Sequence, residues 1–319
     1  SSSRRKRRRG VMSKMTVSKP SAADKLRELI NGPEVLTMPC CYDGLTARLV
    51  EDAGFPLTFM TGFGVSGAHG LPDTQARNKN EHIHCSLLSY AEMLSAATNI
   101  CSTLKDTPCI GDGDTGYGNA VNVKRTVKGY AQAGMAGIMI EDQIAPKRCG
   151  HTKGKSVLGR EEAYTRIRAA CDARDEGADI LIVARTDARA GLGLEEALER
   201  CREFRRIGAD VTFLDAPQSV EDMERYCQEV DGPKLAIMIE FGKTPILPPA
   251  ELGKMGYTMV GYPLSLLSTS IKAMKSALGR LKAEEPLDDI LESFDEVKRV
   301  VGFQDYTETA AQYEKKVDA

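Results

Sequence analysis

The sequence predicts a (β/α)₈ barrel, and three observations carry that prediction. Short apolar runs recur eight times, each followed by a polar or Gly-rich turn and then a segment of helical periodicity. The runs are continuously apolar (IMI before Glu141, LIV before Ala184), as parallel strands buried on both faces require. No GxGxxG opens a helix after the first strand, so the rival open doubly wound sheet lacks its dinucleotide-binding form. Alternation on this scale, within about 250 residues, is the size of a barrel.

In chain order the predicted strands are Val35 to Cys40, Leu57 to Gly62, Pro108 to Asp112, Gly137 to Glu141, Ile180 to Arg185, Val211 to Asp215, Leu235 to Glu240 and Thr258 to Gly261. Predicted helices lie between them at Gly44 to Ala53, Tyr90 to Leu104, Asn122 to Ala133, Arg160 to Glu176, Leu194 to Ile207, Val220 to Val230 and Pro248 to Met255. Most end in an AGF, AGM, EGA, IGA or MGY step, where a left-handed Gly stops a helix. Ser265 to Leu281 reads as one amphipathic helix, and helical sequence continues to Ala319. The expected organisation is a basic tail over residues 1–20, a barrel over 21–281 and a helical extension over 282–319 that serves oligomer contacts. Gln75 to Ser86 (QARNKNEHIHCS) breaks the rhythm and reads as a mobile surface insertion, with His82, His84 and Cys85 as solvated side chains rather than metal ligands.

Composition bounds the function. With 319 residues, 42% of them hydrophobic, and no long apolar run, the chain can bury a large core and is not expected to span a membrane. The net charge of -2 conceals the basic stretch Ser1 to Arg9, which reads as a disordered extension or the remnant of a cleaved targeting sequence. The lack of an initial Met fits processing. Nucleic-acid binding is not expected: there is no Trp, no aromatic-interleaved basic stripe and no zinc-type CxxC pair. Nine Cys spread through a chain of this length do not form a secreted disulfide framework, and point instead to a reducing compartment, the cytoplasm or an organelle matrix.

A barrel of this kind carries its active site at the C-terminal ends of the strands. The polar groups delivered there are strongly acidic: Asp112 and Asp114 (GDGDTGYG), Glu141 and Asp142, Arg185 and Asp187, Asp215, and Glu240. If strand geometry persists, Asp112 and Asp114 point the same way, and two converging carboxylates invite a cation; Mg²⁺ commonly takes one or two protein carboxylates and keeps several waters. By itself DGDTG fits a helix cap equally well. The segment EDQIAPKRCGHTKGKS is basic and too polar for core, and reads as a lid. Within it Cys149, flanked by Lys147, Arg148 and His151, has a cationic setting that lowers a thiol pKa, although a Cys in a basic loop is often a bystander. Arg185 ends a strand, placed either to clamp a carboxylate or to pair with the nearby acids.

Taken in order, TGFGVS, GLPD, GDGDTGYG, IEDQ, PKRCGH, VARTDAR and IEFGKTP resemble the isocitrate lyase and phosphoenolpyruvate mutase superfamily over roughly Ala23 to Leu281. Among its small members the chain is similar to 2-methylisocitrate lyase, the petal death protein and carboxyvinyl-carboxyphosphonate phosphorylmutase. The resemblance implies a homotetramer, a dimer of dimers that exchange the last barrel helix. It also implies Mg²⁺, or Mn²⁺ in its place, chelating a 2-oxo acid. Position by position it implies Asp112 and Asp114 as metal carboxylates with Asp73 and Glu141 supporting them. It implies Thr61, Gly62, Phe63, Gly150, Arg185 and Asp215 around the substrate, and Cys149, Arg185, Glu141 and His151 as catalytic groups. Bond cleavage beta to a carbonyl leaves an enolate, which a divalent ion and backbone N–H groups stabilise, and Cys149 would protonate the enolate carbon.

Some positions depart from the family pattern: Asp215 stands where lyases have Glu, Ile237 where they have Asn, and Phe63 where they have a small residue. KRCGH favours C–C cleavage over phosphoryl migration, and Pro263, where oxaloacetate-hydrolysing relatives carry Ser, tilts the same way. The expected function is a Mg-dependent carbon–carbon lyase acting on a 2-substituted malate or methylisocitrate-like di- or tricarboxylate. The alternatives are an oxaloacetate-type hydrolase, a phosphonomutase, and a catalytically inactive barrel serving as a binding protein.

Overall fold

A computed structural model describes residues 19–72, 87–145, 147, 156–242 and 244–314. Its strands are β1 (Leu36–Cys41), β2 (Thr58–Met60), β3 (Cys109–Asp112), β4 (Gly137–Glu141), β5 (Leu181–Thr186), β6 (Val211–Leu214), β7 (Leu235–Ile237) and β8 (Met259–Tyr262). They form one 8-stranded parallel sheet in the order β6-β5-β4-β3-β2-β1-β8-β7. The two ends meet where Thr212 bridges Lys234 in parallel and Thr212 N–H donates to the Pro233 carbonyl at 3.1 Å, so the sheet closes into the predicted barrel.

Period-2 alternation sorts each strand into an inward and an outward face. Ile138, Ile140, Ile182 and Ala184 pack outward under the helices, whereas Met139, Leu181, Val183, Val211 and Phe213 fill the barrel. The inward rows therefore run Met139–Glu141, Leu181–Val183–Arg185 and Val211–Phe213–Asp215. Each ends in a charged group at the C-terminal mouth, so strand parity alone positions three site residues.

Of the expected helices, the one at Leu194–Ile207 (α8) is found with those bounds, and the left-handed Gly steps hold: Gly134 (φ 96°) and Gly208 (φ 117°) each end a helix. Three helices were not expected, one of them the single turn Arg189–Leu192. α1 (Ala22–Ile30) opens with a Ser21–Asp24 capping box and lays Ala23, Leu26 and Ile30 across the N-terminal end of the barrel, where it plugs the core. α3 (Gly62–Ala68) begins where the second strand was expected to continue: Thr61 stops β2, and its hydroxyl accepts from Gly64 N–H.

The C-terminal helices are α11 (Ser265–Lys282), α12 (Phe294–Val301) and α13 (Phe303–Glu314). α11 touches the barrel through Tyr42, whose hydroxyl lies 3.1 Å from Ser270 Oγ, yet leaves Ile271, Met274, Leu278 and Leu281 exposed. α12 is tied to the first barrel helix (Gly44–Asp52), with Arg48 Nη1 donating to the Val300 carbonyl at 3.1 Å and Arg299 paired with Asp52. No helix among the described residues is long and apolar enough to cross a membrane.

Candidate active site

The structure gathers Asp112, Asp114, Glu141, Arg185, Asp187, Asp215 and Lys147 at the C-terminal mouth, all of them buried. Asp112 and Asp114 converge, but not by strand alternation. β3 ends at Asp112, and Asp114 adopts a left-handed φ of 50°, which curls the chain back so that its N–H donates to Asp112 Oδ1 at 3.0 Å. Asx side chains tolerate that conformation better than most. The alternative reading as a helix cap fails, because Asn119 caps the following helix.

Local hydrogen bonds hold both acids. Tyr117 Oη donates to Asp114 Oδ2 at 2.6 Å, and Tyr130 Oη holds the Asp112 carbonyl at 2.8 Å. Gly62 N–H, from the Thr61–Phe63 segment, reaches Asp112 Oδ2 at 3.3 Å; Thr61 and Gly62 are buried and Phe63 is half-buried. The close approach demands Gly62, since a Cβ there would lie 2.7 Å from Asp112 Oδ2. Lys147 then pairs with Asp114 Oδ1 and stands 3.8 Å from Asp112 Oδ2. Burial pushes the Asp112 carboxyl up, Lys147 opposes the shift, and Asp114 adds to it.

Glu141 lies at the end of β4 with both carboxyl oxygens buried and without a hydrogen bond. Its contact with Arg185 Nη1 at 3.4 Å is a charge pairing whose geometry is not that of a hydrogen bond. Burial pushes its carboxyl up to about 8, against the pull of Lys147 and Arg185. Arg166 fixes the strand end by donating to the Glu141 and Gln143 carbonyls at 2.7 and 2.8 Å.

Arg185 settles between its two expected roles. Nε and Nη2 fork onto Asp187 at 2.8 and 2.9 Å, and Nη2 also faces Asp215 at 3.3 Å. The bidentate edge is therefore committed inside the protein, and a substrate can meet only the Nη1–Nη2 end. Burial disfavours the guanidinium charge, but Asp187, Asp215 and Glu141 more than offset it.

Two residues expected at the mouth stand outside this buried cluster. Asp142 falls on the outward parity of β4 and meets buried Arg200 of α8 at 2.9 Å, while accepting from Thr186 Oγ1 and Asp187 N–H at 2.6 and 2.9 Å. Glu240 is exposed and accepts from Ser265 Oγ at 2.6 Å. Asp73, Cys149, Gly150 and His151, with the stretch Gln75 to Ser86, lie outside the described residues. The base of the Cys149-bearing segment is described: Ile144 N–H donates to the Ser156 carbonyl and Leu158 N–H to that of Asp142, both at 2.9 Å.

Sequence reasoning treated Lys147 as a neighbour of Cys149 and missed its contact with the acid pair. It also missed Tyr117, although that residue lies inside GDGDTGYG. The arrangement is one that a divalent cation fits. Asp112, Asp114, Glu141, Asp187 and Asp215 are five carboxyls facing two cations, Lys147 and Arg185, and with Glu141 protonated two negative charges remain. Among the described residues no three Asp, Glu, His or Cys side chains gather closely enough to hold an ion by themselves.

Residues 26–282 match the family model described as phosphoenolpyruvate phosphomutase. The chain belongs to the phosphoenolpyruvate phosphomutase family. Among its relatives is the 2,3-dimethylmalate lyase of Eubacterium barkeri, 37% identical over 297 residues that make up 92% of this chain and 98% of that one. A crystal structure of 2,3-dimethylmalate lyase superposes with a TM-score of 0.85 at 35% identity, covering 93% of this chain and 96% of the other. Oxaloacetate acetylhydrolase bound to 3,3-difluorooxalacetate gives a TM-score of 0.84 at 35% identity, covering 92% and 97%. Phosphonopyruvate hydrolase, solved with oxalate and Mg²⁺, gives 0.80 at 26% identity, covering 92% and 99%. This phosphoenolpyruvate phosphomutase family member therefore has relatives of three chemistries on one barrel, and the fold does not choose among them.

Proposed function

We propose that the protein is a Mg²⁺-dependent carbon–carbon lyase that splits a 2-substituted malate or methylisocitrate-like acid into a 2-oxo acid and a second carboxylate. The observation that carries this reading is the acid pair Asp112–Asp114 facing Glu141 and Arg185 across one mouth. Asp112 and Asp114 would hold the ion, with Glu141 and Asp73 supporting it. Bound there, the ion supplies a Lewis-acid partner for oxygens of the substrate.

The chain's own groups account for the rest. The Nη1–Nη2 end of Arg185 orients a substrate carboxylate, with Asp215, Thr61, Gly62 and Phe63 as the other groups around the substrate. The 2-hydroxyl proton passes to the ionised form of Glu141, whose carboxyl, pushed up to about 8 by burial, carries no competing hydrogen bond. The C2–C3 bond then breaks, leaving a keto group at C2 and an enolate at C3. Cys149, with His151 beside it in sequence, gives C3 its proton.

The KRCGH segment supports cleavage over phosphoryl migration, and the oxaloacetate hydrolase reading stays second because Pro263 stands where those relatives carry Ser. The exposed apolar row of α11 supports assembly into the dimer of dimers with exchanged helices. The cytoplasm or an organelle matrix is the expected place of action.

The test is release of 2-oxo acid from substituted malates, methylisocitrate, oxaloacetate and phosphonopyruvate, with and without Mg²⁺, for the wild type and Cys149→Ser. Metal-dependent release from one malate-type acid, lost in Cys149→Ser, is expected. Turnover of oxaloacetate or phosphonopyruvate that survives the substitution moves the protein to the hydrolase or mutase branch. Metal binding without turnover of any acid leaves the inactive barrel.

A further inference from the structure

The acid pair already holds a cation that belongs to the chain. Lys147 Nζ is paired with Asp114 Oδ1, lies 3.8 Å from Asp112 Oδ2, and its side chain is only 6% exposed. The other two oxygens of the pair are engaged locally, Asp114 Oδ2 by the Tyr117 hydroxyl and Asp112 Oδ1 by Asp114 N–H. Lys147 therefore stands against the two oxygens that face an incoming ion, Asp114 Oδ1 and Asp112 Oδ2, the second of which also accepts from Gly62 N–H at 3.3 Å. Arg185 does not take its place, since its Nε–Nη2 edge is forked onto Asp187.

We propose that Lys147 is a resident counterion of Asp112 and Asp114, displaced when a divalent cation binds, so that this residue sets the affinity of the site. The inference rests on the proposed metal reading. Its physical basis is exclusion: an ammonium and a Mg²⁺ ion that share the same two oxygens stand a few ångströms apart and repel, and both need those lone pairs. The tenant keeps two buried like charges from facing each other in the metal-free protein. In return, each binding event must break the Lys147 pairs.

The full chain is titrated with Mn²⁺, following the free-ion electron paramagnetic resonance signal, for the wild type, Lys147→Met, Lys147→Gln and Asp114→Asn. Both Lys147 variants are expected to bind Mn²⁺ about tenfold more tightly or better, because the ion no longer competes with a charge on its own oxygens. In the wild type, which needs no substitution, acetylation of Lys147 read by peptide mass is expected to accelerate when Mn²⁺ is added. Wild-type binding with unchanged or weaker affinity in both variants, or Lys147 labelling indifferent to Mn²⁺, overturns the counterion role and leaves the metal reading intact. Absence of binding to every variant, or undiminished binding in Asp114→Asn, overturns the metal reading and the counterion with it.

Discussion

Replacing Arg200 with Met strikes the support beneath the site rather than the site itself. Arg200 is 2% exposed and donates to Asp142 Oδ2 at 2.9 Å, to Glu196 Oε1 at 2.8 Å and to the Leu158 carbonyl at 2.8 Å. Asp142 in turn accepts from Asp187 N–H, and Asp187 holds the Arg185 fork. Met fills much of the volume but leaves Asp142 buried without its counter-charge, and breaking a buried pair in this way costs about 3–5 kcal/mol. In urea, with a slope of ~3 kcal/mol/M for a domain of this size, the midpoint should fall by about 1 M or more. Fluorescence and circular dichroism must give coincident transitions for that reading to hold. In a cycle with Asp142→Asn the two losses should be less than additive, by at least ~1 kcal/mol. A cost under ~1 kcal/mol for Arg200→Met, or strict additivity, would refute the claim that this pair anchors the ends of β4 and β5.

Two further predictions concern the mouth. Gly62→Ala places a Cβ 2.7 Å from Asp112 Oδ2, so the carboxylate must swing aside; Mn²⁺ affinity should drop by about tenfold while the circular dichroism spectrum is unchanged, and an unaltered titration would show that the Gly62 contact does not position Asp112. Glu141→Gln addresses the raised carboxyl. Because folding lifts Glu141 from its ordinary 4.5 to about 8, its contribution is fully present below the lower value and is lost as pH rises through the higher one. The metal-free protein should thus lose thermal stability between those values, Glu141→Gln should flatten the slope, and parallel curves for the two proteins would count against a protonated Glu141.

Much of this architecture is legible in the chain because parity and apolar continuity are local signals. Once β4, β5 and β6 are placed, counting by two from Met139, Val183 and Phe213 brings Glu141, Arg185 and Asp215 to the mouth. The same count sends Asp142 outward to Arg200, an outcome that listing strand-end acids overlooks. α1 and α3 escaped because their apolar positions are few and short, and their role is to plug the barrel and turn the chain. The convergence of Asp112 and Asp114 depends on a left-handed backbone at Asp114, which no periodicity encodes. Lys147 reaches the pair across space from beyond β4, and only the assembled barrel shows it.

The most direct measurement of the central claim is proton bookkeeping at the cleaved carbon. With a malate-type substrate cleaved in D₂O, proton and mass spectra of the products should show one deuterium per turnover at the α-carbon of the released carboxylate and none in the 2-oxo acid. Label in the 2-oxo acid instead, or cleavage that leaves the α-carbon unlabelled, would contradict an enolate protonated at C3.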